Sequence, residues 1–488
     1  MGLSEDQYLQ KERTMKSRMN RRELLRWLGL GSGALVLAAC QPKIVEVEKV
    51  VKETVIVKEE VEKVVKETVV IEAKAAPREA VKLRCTHSWP ADQWPRQVEF
   101  DDVFNQEHPY ISITGENIPW ADYVPKLTAL AAAGTLPDLV YCQYAWAQQF
   151  ILNRMILSAQ PYLDNDPEFW DIDDWVPPGL VSYRWQGEQY LLPYNEGPTN
   201  LIYFNKRIFD EAGVPYPHSN KDWTLDDLWD YAKELTTGEG ADKIWGYDGL
   251  PSIWIINGDI LKTWDAEFWN DPCETKSRMH EENAIKCLEW WLELYKSGVA
   301  PTPAEAETVP GNPFAYGVVA MVKGASWDNR WIKPNLKDPY DVAHAPVGPN
   351  GKRSSTSAGS AYGITKDTKH PDDAWVYLRA YNTTEGQIFL FSSIGIDPAR
   401  WSAWPAYFET DATPDSAEVV MEVMEQYAEH NLLDSPHGRE ISTAAQPLLD
   451  RLWLEELTPR EVCTQITEAC APIMKKNEEW AALAGHVC

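Results

Sequence analysis

The chain has 488 residues, of which 44% are hydrophobic and 25% are charged, and its formal net charge is −28. This length predicts more than one folding unit. The negative charge argues against nucleic acid as a partner and disfavours anionic ligands, since no basic stripe offsets it.

Eight cysteines are present, and none has the spacing of a metal site, so we expect neither a metal nor another cofactor. Cys463 and Cys470 are separated by about 10 Å of predicted helix, too far for a disulfide. Cys273 and Cys287 remain able to pair. Most of the cysteines are expected to be buried free thiols.

The N-terminal segment has the layout of an export signal. Arg21 and Arg22 precede the apolar run Trp27–Ala39, which ends at Leu-Ala-Ala-Cys. The arginine pair resembles a twin-arginine signal, and the last four residues resemble a bacterial lipobox. Residues 1–39 are therefore predicted to be a lipoprotein signal peptide, with Cys40 as the lipidated residue. The alternative is an amphipathic or buried helix that happens to end in cysteine.

Residues 40–80 are predicted to form a stalk. The sequence Val47–Val55 recurs fourteen residues later as Val61–Val69, and Val, Glu and Lys dominate this segment. Such a low-complexity segment cannot build a core and is suited to hold a folded part away from a membrane. A coiled-coil strand is the alternative, because fourteen residues are two heptads.

The folded part is predicted to begin at Val81 with alternating strands and helices. These elements are Val81–Thr86, Arg96–Glu107, Ile111–Thr114, an alanine-rich helix that stops at Gly134, and Leu136–Tyr141. This pattern predicts a mainly parallel sheet. Ligands of such folds lie at strand ends, and the candidates placed there are His87, Trp89, Trp120, Tyr144 and Trp146.

The stretch Gly187–Pro215 is predicted to hold two buried strands on either side of the polar loop Tyr194–Asn200. Asn205 then caps a helix that closes at Gly213. A loop with amides, a carboxylate and an aromatic ring between buried strands is suited to a polar ligand, so Asn195 and Glu196 are candidates. A plain surface turn is the alternative.

The remaining chain alternates further helices and strands. A capping box of Thr224 and Asp227 predicts a helix start. Later predictions are helix Glu281–Ser297, strand Val318–Val322, a flexible turn from Ser357 into a strand ending at Ile364, and helices Asp372–Tyr381, Val419–His430, Ala444–Glu456 and Pro459–Lys476. The candidates near the ends of these elements are Trp245, Trp254, Asn257, Trp327, Asp328, Ser360 and Tyr362.

Five motifs occur in one order along the chain. They are Trp120-x-x-Tyr123, Gly187-x-x-Tyr190-x-x-Pro193, Tyr203-x-Asn205-Lys206-x-x-Phe209-x-x-Ala212-Gly213, Gly317-x-x-Ala320-Met321 and Lys369-His370-Pro371-x-x-Ala374-Trp375. Together they resemble the family 1 extracellular solute-binding proteins, the sugar-type receptors of ATP-driven importers. The resemblance covers about Val81 to Lys476.

The resemblance implies a two-lobed α/β periplasmic-binding-protein fold, type II-like, with a multi-strand hinge and no enzyme activity. The N-terminal lobe is expected to hold residues 81–195 and 346–405, and the C-terminal lobe residues 196–345 and 406–488. Asn257-Gly258-Asp259 departs from the family pattern, and Lys262–Trp269 has no match in it. These departures indicate a ligand other than an ordinary sugar of the family.

Carbohydrate sites pair flat aromatic rings with polar groups, and the chain has 23 tryptophans. The leading hypothesis is therefore a receptor, lipid-anchored at the outer face of the cytoplasmic membrane, that delivers an oligosaccharide or other polyhydroxylated solute to an ABC permease. Two alternatives are a surface adhesion or sensor lipoprotein, and a glycosidase that uses Glu196 and Asp328 as paired carboxylates.

Overall fold

The computed structural model describes residues 79–217, 222–249, 252–253, 256–270, 273–430 and 436–484. The predictions for residues 1–78, including Cys40, lie outside these ranges, as do Trp254 and the side chain of Asn257. Within the described ranges, no helix is long and apolar enough to cross a membrane.

The described residues form two compact units. The small unit holds residues 79–82 and 105–112, and in it Val81 N donates a hydrogen bond to Tyr110 O at 2.8 Å. The large unit holds the other described residues. The cavity and the contacts discussed below all lie in the large unit.

The strands form a six-stranded, a four-stranded and a two-stranded sheet. Their bounds are β1 Val81–His87, β2 Ile111–Asn117, β3 Leu139–Gln143, β4 Arg184–Trp185, β5 Glu188–Gln189, β6 Leu192–Pro198, β7 Leu201–Asn205, β8 Trp245–Asp248, β9 Val319–Gly324, β10 Tyr340–His344, β11 Ser355–Ile364 and β12 Ala428–His430. The six-stranded sheet has the order β12-β11-β3-β1-β2, with β6 paired to β11, and the four-stranded sheet has the order β10-β7-β9-β8.

The six-stranded sheet is mixed rather than mainly parallel. β1 and β3 are parallel, as the alternating pattern predicts. β11 runs antiparallel to both β3 and β6. The antiparallel strands come from distant parts of the chain, so the local pattern did not reveal them.

The described residues also form helices. Their bounds are α1 Trp94–Glu107, α2 Trp120–Ala133, α3 Tyr144–Leu152, α4 Gln160–Leu163, α5 Pro177–Val181, α6 Lys206–Ala212, α7 Leu225–Leu235, α8 Glu282–Lys296, α9 Pro303–Thr308, α10 Pro313–Tyr316, α11 Asn329–Asn335, α12 Pro371–Tyr381, α13 Thr384–Leu390, α14 Trp404–Phe408, α15 Glu418–Gln426, α16 Gly438–Trp453 and α17 Pro459–Ala484. α8, α16 and α17 pack in one apolar core with β7 and β9.

Local helix signals were read correctly from the sequence. The side chain of Asn205 accepts a hydrogen bond from Ile208 N, and α6 ends at Gly213, whose φ is 70°. Thr224 and Asp227 form the predicted capping box of α7. Each signal depends on a few neighbouring residues, which is why the sequence alone was sufficient.

Three segments differ from the prediction. The polar loop Tyr194–Asn200 is mostly strand, because β6 continues to Pro198 and pairs with β11. The flexible turn predicted to begin at Ser357 belongs to β11, every residue of which is buried. Helix α15 ends at Gln426, and β12 follows where more helix was expected. In each case pairing with a distant strand outweighs the local preference.

The chain passes between the two larger sheets at Thr199–Asn200 and again over residues 345–354. Beside the first crossing, Lys323 Nζ lies 2.9 Å from Asp259 Oδ2, and both side chains are almost fully buried. Oδ1 of Asp259 accepts hydrogen bonds from the Thr199 hydroxyl and from Thr356 N, each at 2.7 Å. This network ties the crossing to both sheets.

The state of the cysteines excludes the pairing of Cys273 with Cys287 that the sequence left open. Cys287 is free, so it does not pair with Cys273, and Cys273 is itself disulfide-bonded. The other free thiols in the described part of the chain are Cys85, Cys142, Cys463 and Cys470, all of them buried. Their burial agrees with the expectation that most of the cysteines are free and packed inside.

Candidate functional site

A cavity of about 400 Å³ opens where β1 and β3 end. Parallel strands place their carboxyl ends at one edge of a sheet, where the following loops form a crevice. The lining residues are Ser88, Trp89, Pro90, Gln93, Trp120, Tyr141, Gln143, Tyr144, Tyr194, Asn195, Trp327, Arg330, Ala358, Gly359, Ser360, Phe391 and Ile396.

Both larger sheets contribute to this cavity. Trp89 follows β1 and Tyr144 follows β3, both in the six-stranded sheet. Trp327 and Arg330 follow β9, which belongs to the four-stranded sheet. A molecule in the cavity would therefore contact side chains that two different sheets hold in place.

One wall of the cavity is a stack of aromatic rings. Phe391 lies between Trp89, with ring centroids 5.5 Å apart, and Tyr194, at 4.5 Å, and both pairs are nearly parallel. Asn117 fixes the loop that carries Trp89, because its side chain bonds both Trp89 N and Trp89 O. These rings pack mainly against one another, since Phe391 is fully buried and Trp89 and Tyr194 are each 8% exposed.

The floor of the cavity is polar and comes from β3, β6 and β11. The hydroxyl of Tyr141 lies 3.0 Å from that of Ser360, and Asn195 Oδ1 accepts a hydrogen bond from Ser360 N at 3.0 Å. Burial raises the pKa of Tyr141 to about 12. Its phenol therefore stays neutral at physiological pH and can both donate and accept hydrogen bonds.

Six of the side chains predicted from the sequence line the cavity. They are Trp89, Trp120, Tyr144, Asn195, Trp327 and Ser360. Trp120 is 52% exposed, so a large part of its ring is free for a ligand. Ligand contact by these six residues stays a prediction.

Three candidates are packed in the interior instead, two on strands of the six-stranded sheet and one on α3. His87 is fully buried, with Nδ1 2.5 Å from the Tyr362 hydroxyl, and burial lowers the pKa of its imidazole to about 3. Tyr362 is also fully buried. Trp146 lies against Trp120 and Tyr123 and supports the exposed ring of Trp120 from behind.

Glu196 lies on β6 next to the cavity residue Asn195, but its own side chain is fully buried. Oε1 accepts a hydrogen bond from the Ser357 hydroxyl. Oε2 has no hydrogen-bond partner among the described residues. The side chain of Glu196 therefore packs in the interior, whereas that of Asn195 bonds Ser360 at the cavity.

Two candidates beside the four-stranded sheet have structural contacts. Asp328 Oδ2 accepts a hydrogen bond from Ala325 N, and Oδ1 accepts one from Trp331 Nε1. These bonds hold the turn that presents Trp327. Trp245 is buried in an apolar core, with Lys243 above its ring.

The sequence interpretation missed several lining residues. Tyr194 and Gln143 adjoin predicted candidates, so a wider window around each strand end would have included them. Phe391 and Ile396 follow helix α13 and carry no local signal. Arg330 was missed because a carbohydrate site was expected to pair aromatic rings with Asp, Glu, Asn, Gln and His side chains. No cluster of three or more His, Cys, Asp or Glu side chains within the described ranges is suited to a metal.

Comparison with known proteins identifies the kind of fold that holds this cavity. A family model described as bacterial extracellular solute-binding protein matches residues 90–388. A binding protein of Brucella abortus (strain 2308) is 26% identical over 322 residues, which are 63% of this chain and 73% of that protein. An arabinooligosaccharide-binding protein of Bacillus subtilis is 23% identical over 322 residues, covering 63% of this chain and 71% of that protein.

A solved structure has the same architecture. An ABC substrate-binding protein of Listeria monocytogenes in complex with cycloalternan aligns with a TM-score of 0.72 at 20% identity. The alignment covers 81% of this chain and 100% of that one. The predicted two-lobed α/β fold is therefore confirmed.

Proposed function

Because this chain belongs to the family of bacterial extracellular solute-binding proteins, we propose that it is a receptor that captures an oligosaccharide outside the cytoplasm and delivers it to an ABC importer. The membership confirms the resemblance first noted in the sequence motifs. The family and the matching structure are binding proteins and not enzymes. The observation that carries the proposal is the cavity, whose lining combines aromatic rings with amide and hydroxyl groups.

The chemistry of the cavity suits a carbohydrate. Sugar rings present apolar faces that lie against aromatic side chains, and their hydroxyls bond to amides and phenols. Trp89, Trp120 and Trp327 supply rings, while Gln143 and Asn195 supply amides. The names of the relatives agree with this chemistry, since one binds an arabinooligosaccharide and another was solved with cycloalternan.

Capture would proceed by closure of the lobes. A ligand shifts an open protein toward a closed state only if it binds the closed state more tightly. Here Trp327 follows a strand of one sheet and Trp89 follows a strand of the other, so a ligand long enough to touch both rings would link the two sheets. The closed, ligand-bound receptor would then be the form that a permease recognises.

The glycosidase alternative is not supported. Glu196 is buried away from the cavity lining, and Asp328 is occupied in its own turn. Paired catalytic carboxylates must face each other across a substrate. The structure gives these two carboxylates no such position.

Lipid anchoring is a further part of the proposal. It rests on Arg21, Arg22, the apolar run and Cys40, which have the order of a lipoprotein leader. Labelling cells with a fatty-acid analogue is expected to mark the full chain and not the Cys40→Ser variant. A labelled Cys40→Ser variant, or an unlabelled wild type found free of membranes, would contradict the anchor.

The binding proposal is tested by a thermal-shift screen of the full chain against mono-, di- and oligosaccharides, polyols, peptides and amino acids. Binding to the folded state raises the melting temperature. We expect an oligosaccharide to raise it, and Trp327→Ala to reduce this rise. A rise with peptides alone would refute the carbohydrate assignment. A response to no compound would favour the adhesion or sensor alternative.

Delivery needs a separate test. Uptake of the labelled oligosaccharide by cells that contain the permease is expected to stop when the receptor is deleted. Uptake would return with the wild-type chain. Binding without any effect on uptake would instead indicate a sensor.

A further inference from the structure

Arg330 is the one charged side chain among the described residues that line the cavity. The other lining residues are neutral, and no Asp or Glu is among them. From this arrangement we infer that the ligand is an acidic saccharide, whose uronate carboxylate pairs with the guanidinium of Arg330. This inference rests on the proposed function and names the chemical class of the ligand in the same cavity.

The guanidinium of Arg330 is available for a ligand. Among the described residues it has no hydrogen-bond or ion-pair partner, and its side chain is exposed. Arg379 and Arg400 differ, because each is paired with a carboxylate, at 2.6 Å and 2.8 Å respectively. Arg330 is thus held at the cavity without a structural ion pair of its own.

The charge of Arg330 acts on the floor of the cavity. Burial raises the pKa of Tyr141 and Tyr194, and the positive charge of Arg330 opposes both rises. The two phenols are therefore close enough to feel this charge through a weakly polar interior. An anionic group above them would meet the same positive field.

A buried carboxylate that pairs with Arg330 is the competing explanation, and Asp397 is the candidate because its pKa responds to the charge of Arg330. Burial raises the pKa of Asp397, which favours its neutral form, although the charge of Arg330 opposes the rise. Asp397 forms no ion pair with Arg330. Pairing with Asp397 therefore does not explain why the guanidinium of Arg330 lies at the cavity.

Guanidinium and carboxylate groups fit each other well. The planar guanidinium offers two parallel N–H donors that match the two oxygens of a carboxylate. The aromatic rings and amides around Arg330 would bind the sugar ring itself. The net charge of −28 suggested that anionic ligands are disfavoured. That charge is summed over the whole chain, whereas ligand binding depends on the groups that line the cavity.

The test uses the full chain and pairs of probes that differ only in charge. Calorimetry would compare oligogalacturonates of two to four residues with their methyl esters, which keep the ring and lose the charge. A second pair is a glucuronate-bearing xylooligosaccharide and the unsubstituted xylooligosaccharide. We expect an acid form to bind at least about tenfold more tightly than its neutral counterpart.

Three variants separate charge from shape. Arg330→Gln is expected to lower acid-form affinity at least about tenfold and to leave neutral-form affinity nearly unchanged. Arg330→Lys keeps the charge but loses the two-donor geometry, so it should recover only part of the loss. Arg439→Gln removes an exposed arginine that does not line the cavity and should behave as the wild type.

The outcomes distinguish this inference from the proposed function. If neutral oligosaccharides bind as tightly as acidic ones, or if Arg330→Gln weakens both forms equally, the inference is refuted and the sugar receptor stands. If neither neutral nor acidic saccharides bind, both proposals are refuted. Unchanged melting temperatures of the unliganded variants would show that each one folds.

Discussion

The hydroxyl of Ser357 on β11 donates a hydrogen bond to Oε1 of Glu196 on β6. The bond lies where the two strands pair, with Glu196 opposite Gly359 and Ser357 opposite Pro198. Burial raises the pKa of Glu196 to about 8, with the charge of Asp397 adding to the rise and the Ser357 bond opposing it. Glu196 is therefore protonated at neutral pH, and its titration affects stability.

The free energy of unfolding is expected to fall as the pH rises from about 5 to about 8. In this range the folded state holds the Glu196 proton, whereas the unfolded carboxyl has released it, so folding is favoured at lower pH. Each unit of pKa difference corresponds to about 1.4 kcal/mol. Urea unfolding at several pH values should show a shallower fall for Glu196→Gln, which keeps the shape and removes the titration.

Other groups do not obscure this comparison. Burial raises the pKa of Asp101 to about 6 and lowers that of His87 to about 3, but both residues are present in wild type and variant. The control is Glu234→Gln, which changes an exposed carboxylate. Equal slopes for Glu196→Gln and wild type would contradict the burial of a protonated carboxyl.

Removing either partner of the Lys323–Asp259 ion pair is expected to destabilise the fold by about 3–5 kcal/mol, because a buried charge is left without its partner. The double variant Asp259→Asn/Lys323→Met should lose less than the sum of the single losses. Denaturant unfolding of the four proteins measures this coupling. The control Glu293→Gln breaks an exposed ion pair with Lys296 and should cost at most about 1 kcal/mol of stability. If the losses from the two single variants at Lys323 and Asp259 are additive in the double variant, the two residues do not interact.

Gly197→Ala is expected to cost about 1–3 kcal/mol. A methyl group there would lie 2.1 Å from Ser326 Oγ and 2.2 Å from Asp397 Oδ2, so buried groups must move. Gly187→Ala is the control, since nothing lies within 4 Å of its added carbon and only its positive φ of 86° opposes alanine. In calorimetric melting, the melting temperature of Gly197→Ala should therefore be equal to or lower than that of Gly187→Ala. If Gly197→Ala melts at the same temperature as the wild type, the close packing is contradicted.

The free thiols are expected to resist alkylation in the native protein. Burial raises the pKa of Cys463 and Cys470 to about 12, and raises that of Cys85, Cys142 and Cys287 well above its usual value. The reactive thiolate is therefore scarce and shielded. Iodoacetamide at pH 8, followed by peptide mass analysis, should label these five residues only in urea. Rapid labelling of any of them without urea would show that it is accessible.

Trp120→Ala is expected to weaken oligosaccharide binding by about tenfold, a loss of about 1.4 kcal/mol, with little effect on stability. Trp120 is 52% exposed and lines the cavity. Tyr316→Ala is a matched control, because this ring is 57% exposed and is not in the lining. Calorimetric titration should separate the two variants. If Trp120→Ala and Tyr316→Ala bind the oligosaccharide with equal affinity, Trp120 does not contact the ligand.

Sequence reasoning succeeded where a feature depends on near neighbours. The cap at Asn205 and the stop at Gly213 needed only local residues. β11 was misread because its serine, alanine and glycine residues have a low strand preference in isolation. Its pairing with β3 and β6 provides the stabilisation, and those partners are distant in the sequence.

The candidate site was predicted in part for the same reason. Strand ends suggested Trp89 and Tyr144 as ligand-binding residues, and both line the cavity. The sequence did not determine which way a side chain points at the end of a strand, so His87 was placed with them although it is buried. Phe391 and Arg330 reach the cavity only through the tertiary fold.

The pairing of β6 with β11, and of β11 with β12, also sets the order in which the protein can form. β6 ends at Pro198, whereas β11 begins at Ser355 and β12 ends at His430. During synthesis, the β6 edge that later meets β11 has no partner until much of the chain has left the ribosome, and such long-range pairing is slow. An unpaired edge invites association with other chains. The nascent chain is therefore more prone to aggregate than the finished protein, and a truncation before β11 would make that exposure permanent.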